Sequence, residues 1–114
     1  METLNFSVEY EQFLRADGSL CKALPESIEG VQGMLSAYET MVLIRAFDKK
    51  AIALQRTGKI GTYPSMLGQE AIGTAIGQAM TKDDVFAPYY RDLCTQYLRG
   101  VSLKEILQKN SIFL

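Results

Sequence analysis

The chain has 114 residues, of which 47% are hydrophobic and 22% charged, and this composition is typical of one ordinary globular domain. A net charge of -1 argues against a nucleic-acid track, and the absence of histidine argues against a self-contained hydrolase triad. The two cysteines, Cys21 and Cys94, stand far apart, so we expect reduced structural thiols and neither a disulfide framework nor a zinc site.

Charge is distributed unevenly along the chain. Residues 1–30 contain six acids and two bases, whereas residues 31–114 contain ten bases and seven acids. The basic surplus suits a small anionic ligand, but solvated helix faces explain it equally well. The N-terminus has no basic region followed by an apolar stretch, and no run of about 18 apolar residues occurs, so we expect a cytoplasmic protein without a signal peptide, a membrane span or membrane binding.

The first segment, residues 1–33, is predicted to be an extended arm and linker. Its apolar residues alternate from residue 4 to residue 10, which places them on one face of a strand: Leu4, Phe6, Val8 and Tyr10. The run from Ala16 to Gly18 supplies a turn, and Pro25 breaks the chain again. This pattern predicts a hairpin-like arm.

A long amphipathic helix is predicted from about Met34 to Thr57. Apolar residues recur there mostly at helical spacing, and Gly58 is well placed to end the helix. A loop follows, and helical spacing returns from Gly68 to Met80. Gly73 and Gly77 lie on one face of this second helix, and close helix packing explains them better than a bound ligand.

The remaining segments are shorter. Val85 to Ala87 is predicted to form a short buried strand before Pro88, and Asp92 to Leu98 a helix ending near Gly100. Ser102 and Glu105 have the spacing of a capping box, which predicts a final helix beginning near Leu103. The chain ends on three uncapped apolar residues: Ile112, Phe113 and Leu114.

Three motifs in order carry a family resemblance: Thr57-Gly58-Lys59-Ile60-Gly61-Thr62-Tyr63, Gly68-Gln69-Glu70-Ala71 and Pro88-Tyr89-Tyr90-Arg91-Asp92. Their order and spacing resemble the alpha subunit of the E1 component of thiamine-diphosphate-dependent 2-oxoacid dehydrogenases, most closely the pyruvate dehydrogenase type. The similarity runs from about Asn5 to Gln108, which is the early part of such a subunit.

The resemblance implies cofactor-binding roles for Tyr90, Arg91 and Tyr63. A guanidinium can clamp diphosphate oxygens through two donors, and a phenol adds one more donor on a stiff ring. Some members of the family place a histidine where this chain has Pro64. Without the resemblance, the better interpretation of Tyr90 and Arg91 is core packing of the tyrosine and a surface ion pair of Arg91 with Asp92 or Asp84.

The resemblance also implies that no residue of this chain is catalytic. The glutamate that activates the thiamine ring in this family belongs to the beta subunit, so Glu70, at the expected start of the second helix, is assigned a structural role. The magnesium ligands lie in a Gly-Asp-Gly segment and an Asn-Asn pair that this chain lacks. We therefore expect a truncated chain, inactive alone, that does not bind magnesium thiamine diphosphate tightly.

The sequence as it stands predicts a mostly α structure with an N-terminal extended arm. The resemblance implies that residues 34–114 are the helical N-terminal portion of a thiamine-diphosphate-binding α/β domain. It also implies an α2β2 heterotetramer with an E1 beta subunit, a lipoyl-bearing E2 partner and a 2-oxoacid substrate.

Other functions remain open from the sequence. The chain could be an alpha subunit for a branched-chain 2-oxoacid or for acetoin, or a non-catalytic fragment that docks on a beta subunit through its two main helices. An unrelated helical adaptor would require the order of the three motifs to be a coincidence.

Overall fold

The computed structural model describes residues 4–25 and 30–109. Their regular structure is four α-helices: α1 (Gly30–Arg56), α2 (Glu70–Ala79), α3 (Leu93–Leu98) and α4 (Leu103–Lys109). Across these two ranges there is no β-strand, and the one β-type pairing is an isolated antiparallel bridge between Leu14 and Leu20. The prediction of a mostly α structure is confirmed.

Helix α1 has 27 residues and, at about 1.5 Å per residue, extends roughly 40 Å. It begins at Gly30, four residues before the predicted start at Met34. Its end follows the prediction: Gly58 adopts a φ of 68° and donates to the Gln55 carbonyl at 2.9 Å, while Lys59 donates to the Leu54 carbonyl at 2.9 Å. These two bonds form a Schellman motif, which satisfies carbonyls that the helix end would leave without donors.

Helices α2 and α3 pack closely because glycines line the contact. A Cβ atom on Gly73 would lie 2.7 Å from the Cys94 Cβ, and one on Gly77 would lie 2.6 Å from the Leu98 Cδ1. The hydroxyl of Thr95 donates to the Gly73 carbonyl at 3.0 Å across the same contact. Close helix packing, the preferred explanation of the two glycines, is confirmed.

Helix α4 begins with the predicted capping box. The Glu105 amide donates to the Ser102 Oγ at 3.2 Å, and the Ser102 amide donates to the Glu105 Oε2 at 2.8 Å. The cap sets α4 so that Ile106 is buried in the core. The buried hydrophobic residues that make up this core come from α1, α3, α4 and the loop after α1: Ile44, Ala51, Tyr63, Met66, Leu93, Cys94 and Ile106.

The N-terminal arm turns as predicted but does not form a strand. The turn is closed by the Gly18 amide, which donates to the Arg15 carbonyl at 3.0 Å. The prediction of a strand from Leu4 to Tyr10 is wrong, since this stretch has no regular structure and its four alternating apolar side chains are 85–89% exposed. A strand needs a neighbour to pair with, and the described residues provide none along this stretch.

The predicted buried strand from Val85 to Ala87 is also wrong. This stretch is irregular, and Val85 is 95% exposed. Before it, Thr81 and Asp84 close a turn in which the Thr81 amide donates to the Asp84 Oδ2 at 2.6 Å. The apolar end of the chain, Ile112 to Leu114, lies outside the described residues. Among the described helices, none combines the length and the apolar character that crossing a bilayer would require.

Candidate anion-binding site

A cavity of about 800 Å³ lies beside the C-terminal half of α1. The loop after α1, the segment leading into α3, and α4 form its other walls. Its lining residues are Ile52, Gln55, Thr62, Tyr63, Pro64, Ser65, Tyr90, Arg91, Leu93, Gln96, Ile106 and Lys109. The cavity therefore brings together Tyr63, Tyr90 and Arg91, the three residues that the sequence predicted as cofactor-binding.

Tyr63 lies on the loop after α1 and is only 3% exposed. Its ring meets the ring of Phe47 edge to face, with the centroids 6.2 Å apart, and its hydroxyl donates to the Asp48 Oδ1 at 3.0 Å. Burial, and then the nearby charge of Asp48, raises the pKa of the Tyr63 hydroxyl, so this group stays a protonated donor. Tyr63 therefore forms part of the cavity wall, with its hydroxyl already used.

Asp48, on α1, is the acceptor at the centre of this loop. Its carboxylate accepts from the Tyr63 hydroxyl at 3.0 Å, the Ser65 hydroxyl at 2.7 Å and the Met66 amide at 2.9 Å. Two helical turns further along α1, the Gln55 Oε1 accepts from the Tyr63 amide at 3.0 Å. The loop is thus attached to α1 at four points.

Arg91 enters the cavity from the segment before α3. Its guanidinium donates to the main-chain carbonyl of Ser65 and lies over the ring of Tyr90, with the Cζ 5.1 Å from the ring centroid. Tyr90 is half exposed, and its ring lies 3.9 Å from that of Tyr89. Hydrogen bonding with Tyr89, and then with Arg91, lowers the pKa of the Tyr90 hydroxyl.

Arg91 does not form the surface ion pair with Asp92 or Asp84 that the sequence without the resemblance favoured. Asp92 accepts instead from the Tyr89 amide at 2.7 Å, and Asp84 accepts from the Thr81 hydroxyl at 3.0 Å. Arg91 donates to the uncharged Ser65 carbonyl, and this partner does not neutralise the positive charge of the guanidinium.

The charge and shape of the cavity suit an anionic ligand with an apolar portion. Arg91 and Lys109 are its cationic lining residues, and none of the lining residues is an acid. A guanidinium, an ammonium, a phenol and two side-chain amides are donors that phosphate oxygens accept, while the side chains of Ile52, Leu93 and Ile106 offer an apolar wall. These residues fit a diphosphate group. Within residues 4–25 and 30–109, no group of three or more acids or cysteines is arranged to hold a metal ion.

Sequence reasoning missed the two α1 residues that accept hydrogen bonds from the loop lining the cavity. Asp48 and Gln55 were not singled out, although Asp48 occupies a position between Ile44 and Ala51 at helical spacing on the apolar stripe of α1. An acid on an apolar stripe is rarely buried unless it is paired. That position was therefore an available signal for a functional carboxylate.

A second buried carboxylate lies away from the cavity. Glu70, the first residue of α2, pairs with Arg45 of α1 and accepts from the Gly68 amide at 3.0 Å. The structural role expected for Glu70 is supported by these contacts, because the pair joins the start of α2 to the middle of α1. The exposed side of the same region contains a groove of about 430 Å³, lined by Tyr38, Met41, Val42, Arg45, Gly68, Glu70 and Ala71.

Comparison with known proteins gives a family match over most of the helical part. The sequence model described as the dehydrogenase E1 component matches residues 38–111. The chain is similar to the pyruvate dehydrogenase E1 component subunit alpha of Acholeplasma laidlawii, with 40% identity over 73 residues, covering 64% of this chain and 21% of the relative. It is 34% identical over 71 residues to the same subunit of Mycoplasma pneumoniae, covering 62% of this chain and 20% of the relative.

A third relative shows the same extent of similarity. The pyruvate dehydrogenase E1 component subunit alpha of Staphylococcus aureus is 36% identical over 72 residues, covering 63% of this chain and 20% of the relative. The chain thus spans about a fifth of the length of the curated relatives that it matches. No solved structure matches it.

Proposed function

Because the chain belongs to the dehydrogenase E1 component family, we propose that it acts as an alpha-type subunit in the thiamine-diphosphate-dependent oxidative decarboxylation of pyruvate, with acetyl transfer to a lipoyl domain. The observation that supports this most directly is the convergence of Tyr63, Tyr90 and Arg91 on one cavity without acidic lining residues. Two motifs separated along the chain, the one ending at Tyr63 and the one containing Tyr90 and Arg91, meet there, as a shared ligand would require.

The roles of the three residues in this proposal are binding and orientation. Arg91 binds the diphosphate of thiamine diphosphate, since its guanidinium presents several donors in a fixed plane. Tyr90 adds its half-exposed hydroxyl, and Tyr63 forms the wall against which the cofactor lies. When bound, thiamine diphosphate supplies the carbanion stabilisation that loss of carbon dioxide from a 2-oxoacid needs.

The wider assembly is part of the same proposal. An E1 beta subunit completes an α2β2 heterotetramer and supplies the catalytic glutamate, and an E2 lipoyl domain receives the acetyl group. The helical segment belongs, in this proposal, to an α/β domain that binds magnesium together with the cofactor. Exposed apolar side chains on α1 and α2, among them Tyr38, Val42 and Ile72, support a subunit contact there.

The test is a titration of the chain with thiamine diphosphate and magnesium, followed through backbone amide resonances. We expect shifts at Thr62, Ser65 and Arg91, and a dissociation constant on the order of 1 mM, since one guanidinium and a few neutral donors contribute modest free energy. Arg91→Gln should weaken binding at least tenfold, an effect equivalent to about 1.4 kcal/mol.

The matched control is Arg99→Gln, which removes the same charge from an arginine outside the cavity. Arg99 donates to the Asp84 carbonyl at 2.8 Å, so it is engaged elsewhere. Equal affinities of Arg91→Gln and Arg99→Gln, or shifts that avoid the cavity, would refute the binding role of Arg91.

A further inference from the structure

We propose that Asp48 is a positioning residue for the anion site, which fixes the loop of residues 63–66 so that the Ser65 carbonyl holds the Arg91 guanidinium inside the cavity. The proposal rests on the proposed function in one respect, namely that Arg91 binds an anionic ligand. The placement of Arg91 by Asp48 is a separate claim and is tested separately below.

The first step is the shape of the contact around Asp48. The carboxylate is buried, with 2% of the residue exposed, and its two oxygens accept from three donors within four consecutive residues of the loop. Two of these donors are side-chain hydroxyls and the third is the Met66 amide. Three attachments over so short a stretch leave the backbone of Ser65 little freedom to shift.

The second step is that Ser65 belongs to two contacts at once. Its hydroxyl donates to the Asp48 Oδ2 at 2.7 Å, and its carbonyl accepts from the Arg91 guanidinium. A long arginine side chain has many rotamers, and a fixed acceptor at its tip selects the one that points into the cavity. Asp48 thereby acts on Arg91 through one residue, without touching the ligand.

The third step is the choice of a carboxylate. An apolar residue at this position would avoid the desolvation of a buried charge. A carboxylate has two acceptor oxygens and no donor, whereas an asparagine amide has one oxygen and would turn an NH2 group towards one of the three donors. The isosteric change Asp48→Asn therefore loosens the loop with little change in volume.

The direct test measures the mobility of the Arg91 side chain, which needs no ligand. In folded Asp48→Asn we expect the guanidinium resonance of Arg91 to report a lower order parameter by NMR relaxation than in the unmodified chain. Ser65→Ala removes only one of the three bonds, so it keeps the test available if Asp48→Asn fails to fold. Unchanged Arg91 order in the folded variants overturns the proposal.

The control is Glu70→Gln, which alters the other buried carboxylate. Glu70 is 5% exposed and bonds to Arg45 and Gly68, and none of its described side-chain hydrogen bonds goes to residues 63–66 or to Arg91. It should lower stability while leaving the Arg91 order unchanged. An equal loss of Arg91 order in Glu70→Gln would reduce Asp48 to a general stabilising residue and would also overturn the proposal.

The second measurement is the affinity for inorganic diphosphate in a double-mutant cycle. Asp48→Asn should weaken binding about five- to tenfold in the unmodified chain and have no further effect when combined with Arg91→Gln, since the two residues act on the same contact. Additive losses contradict action through Arg91. If Arg91→Gln alone leaves the affinity unchanged, the proposed function fails, and the order of the Arg91 side chain still decides the role of Asp48.

Discussion

The ion pair between Arg45 and Glu70 connects two helices through one nearly buried and one half-exposed side chain. The hydrogen bond from Arg45, followed by the bonds from the main chain at Glu70 and Gly68, keeps the pKa of Glu70 below its ordinary value despite the opposing effect of burial. A carboxyl whose pKa is lower in the folded than in the unfolded state stabilises the fold when it is ionised. That contribution is present above the unfolded pKa and is lost as the pH falls through the folded value.

Glu70→Gln should therefore lower the free energy of unfolding at neutral pH, because the amide cannot compensate the Arg45 charge. The difference between the variant and the unmodified chain should shrink as the pH falls below about 4, where the carboxyl of the unmodified chain also becomes protonated. Urea unfolding followed by circular dichroism at several pH values measures this. Glu39→Gln, an exposed site on α1, is the control, and a pH-independent difference would contradict the assignment.

The site residues show which chemistry a sequence can predict. Tyr90 and Arg91 were found because they lie in a motif with a family resemblance, and the structure brings them to one cavity with Tyr63. Their binding roles stay a prediction. Asp48 was missed because its partners, Tyr63, Ser65 and Met66, are 15 to 18 positions away, and the spacing of residues along one helix does not specify such contacts.

At the scale of elements, the contact between α2 and α3 depends on the absence of a side chain. Gly73→Ala would improve helix propensity by about 1 kcal/mol, yet its Cβ would lie 2.7 Å from the Cys94 Cβ. Overpacking of a close contact costs typically 1–3 kcal/mol, so we expect a net loss of about 1 kcal/mol. The midpoint of urea unfolding of Gly73→Ala, compared with that of the unmodified chain, measures this loss of stability.

Gln78→Ala is the matched control for that change. Gln78 is exposed on the same helix, so alanine there should leave stability the same or slightly higher. A midpoint for Gly73→Ala equal to that of Gln78→Ala would show that α2 and α3 can separate without cost.

The helices were predicted well because the sequence features that start, continue and end a helix are local. The glycine at 58, the capping box of Ser102 and Glu105, and the 3.6-residue spacing each act within a few neighbouring residues. The two strand predictions failed because alternation from Leu4 to Tyr10, or an apolar run at Val85, becomes a strand only beside a partner strand. Sequence spacing contains no information on whether that partner exists.

At the scale of the whole molecule, apolar side chains remain exposed around the groove between α1 and the start of α2. We expect Val42→Glu to reduce co-purification of the chain with a pyruvate dehydrogenase E1 beta subunit, because the change places a charge where an apolar contact would be buried. Val42 is half exposed in the chain itself, so folding should persist.

Val85→Glu is the control for this experiment, since it adds the same charge at a fully exposed loop residue. Co-purification that is retained by Val42→Glu, or lost equally in both variants, would place any beta-subunit contact elsewhere. Circular dichroism of each variant confirms that the comparison is between folded chains.

The hydrogen bonds described above that join different elements link residues 8 to 26 positions apart. Contacts of such short sequence separation close small loops, whose entropic cost is low, and chains built from them fold quickly. The bond between Asp48 and Ser65 closes a loop of 17 residues and the bond between Ser65 and Arg91 one of 26, so we expect the loop to attach to Asp48 before Arg91 docks on it.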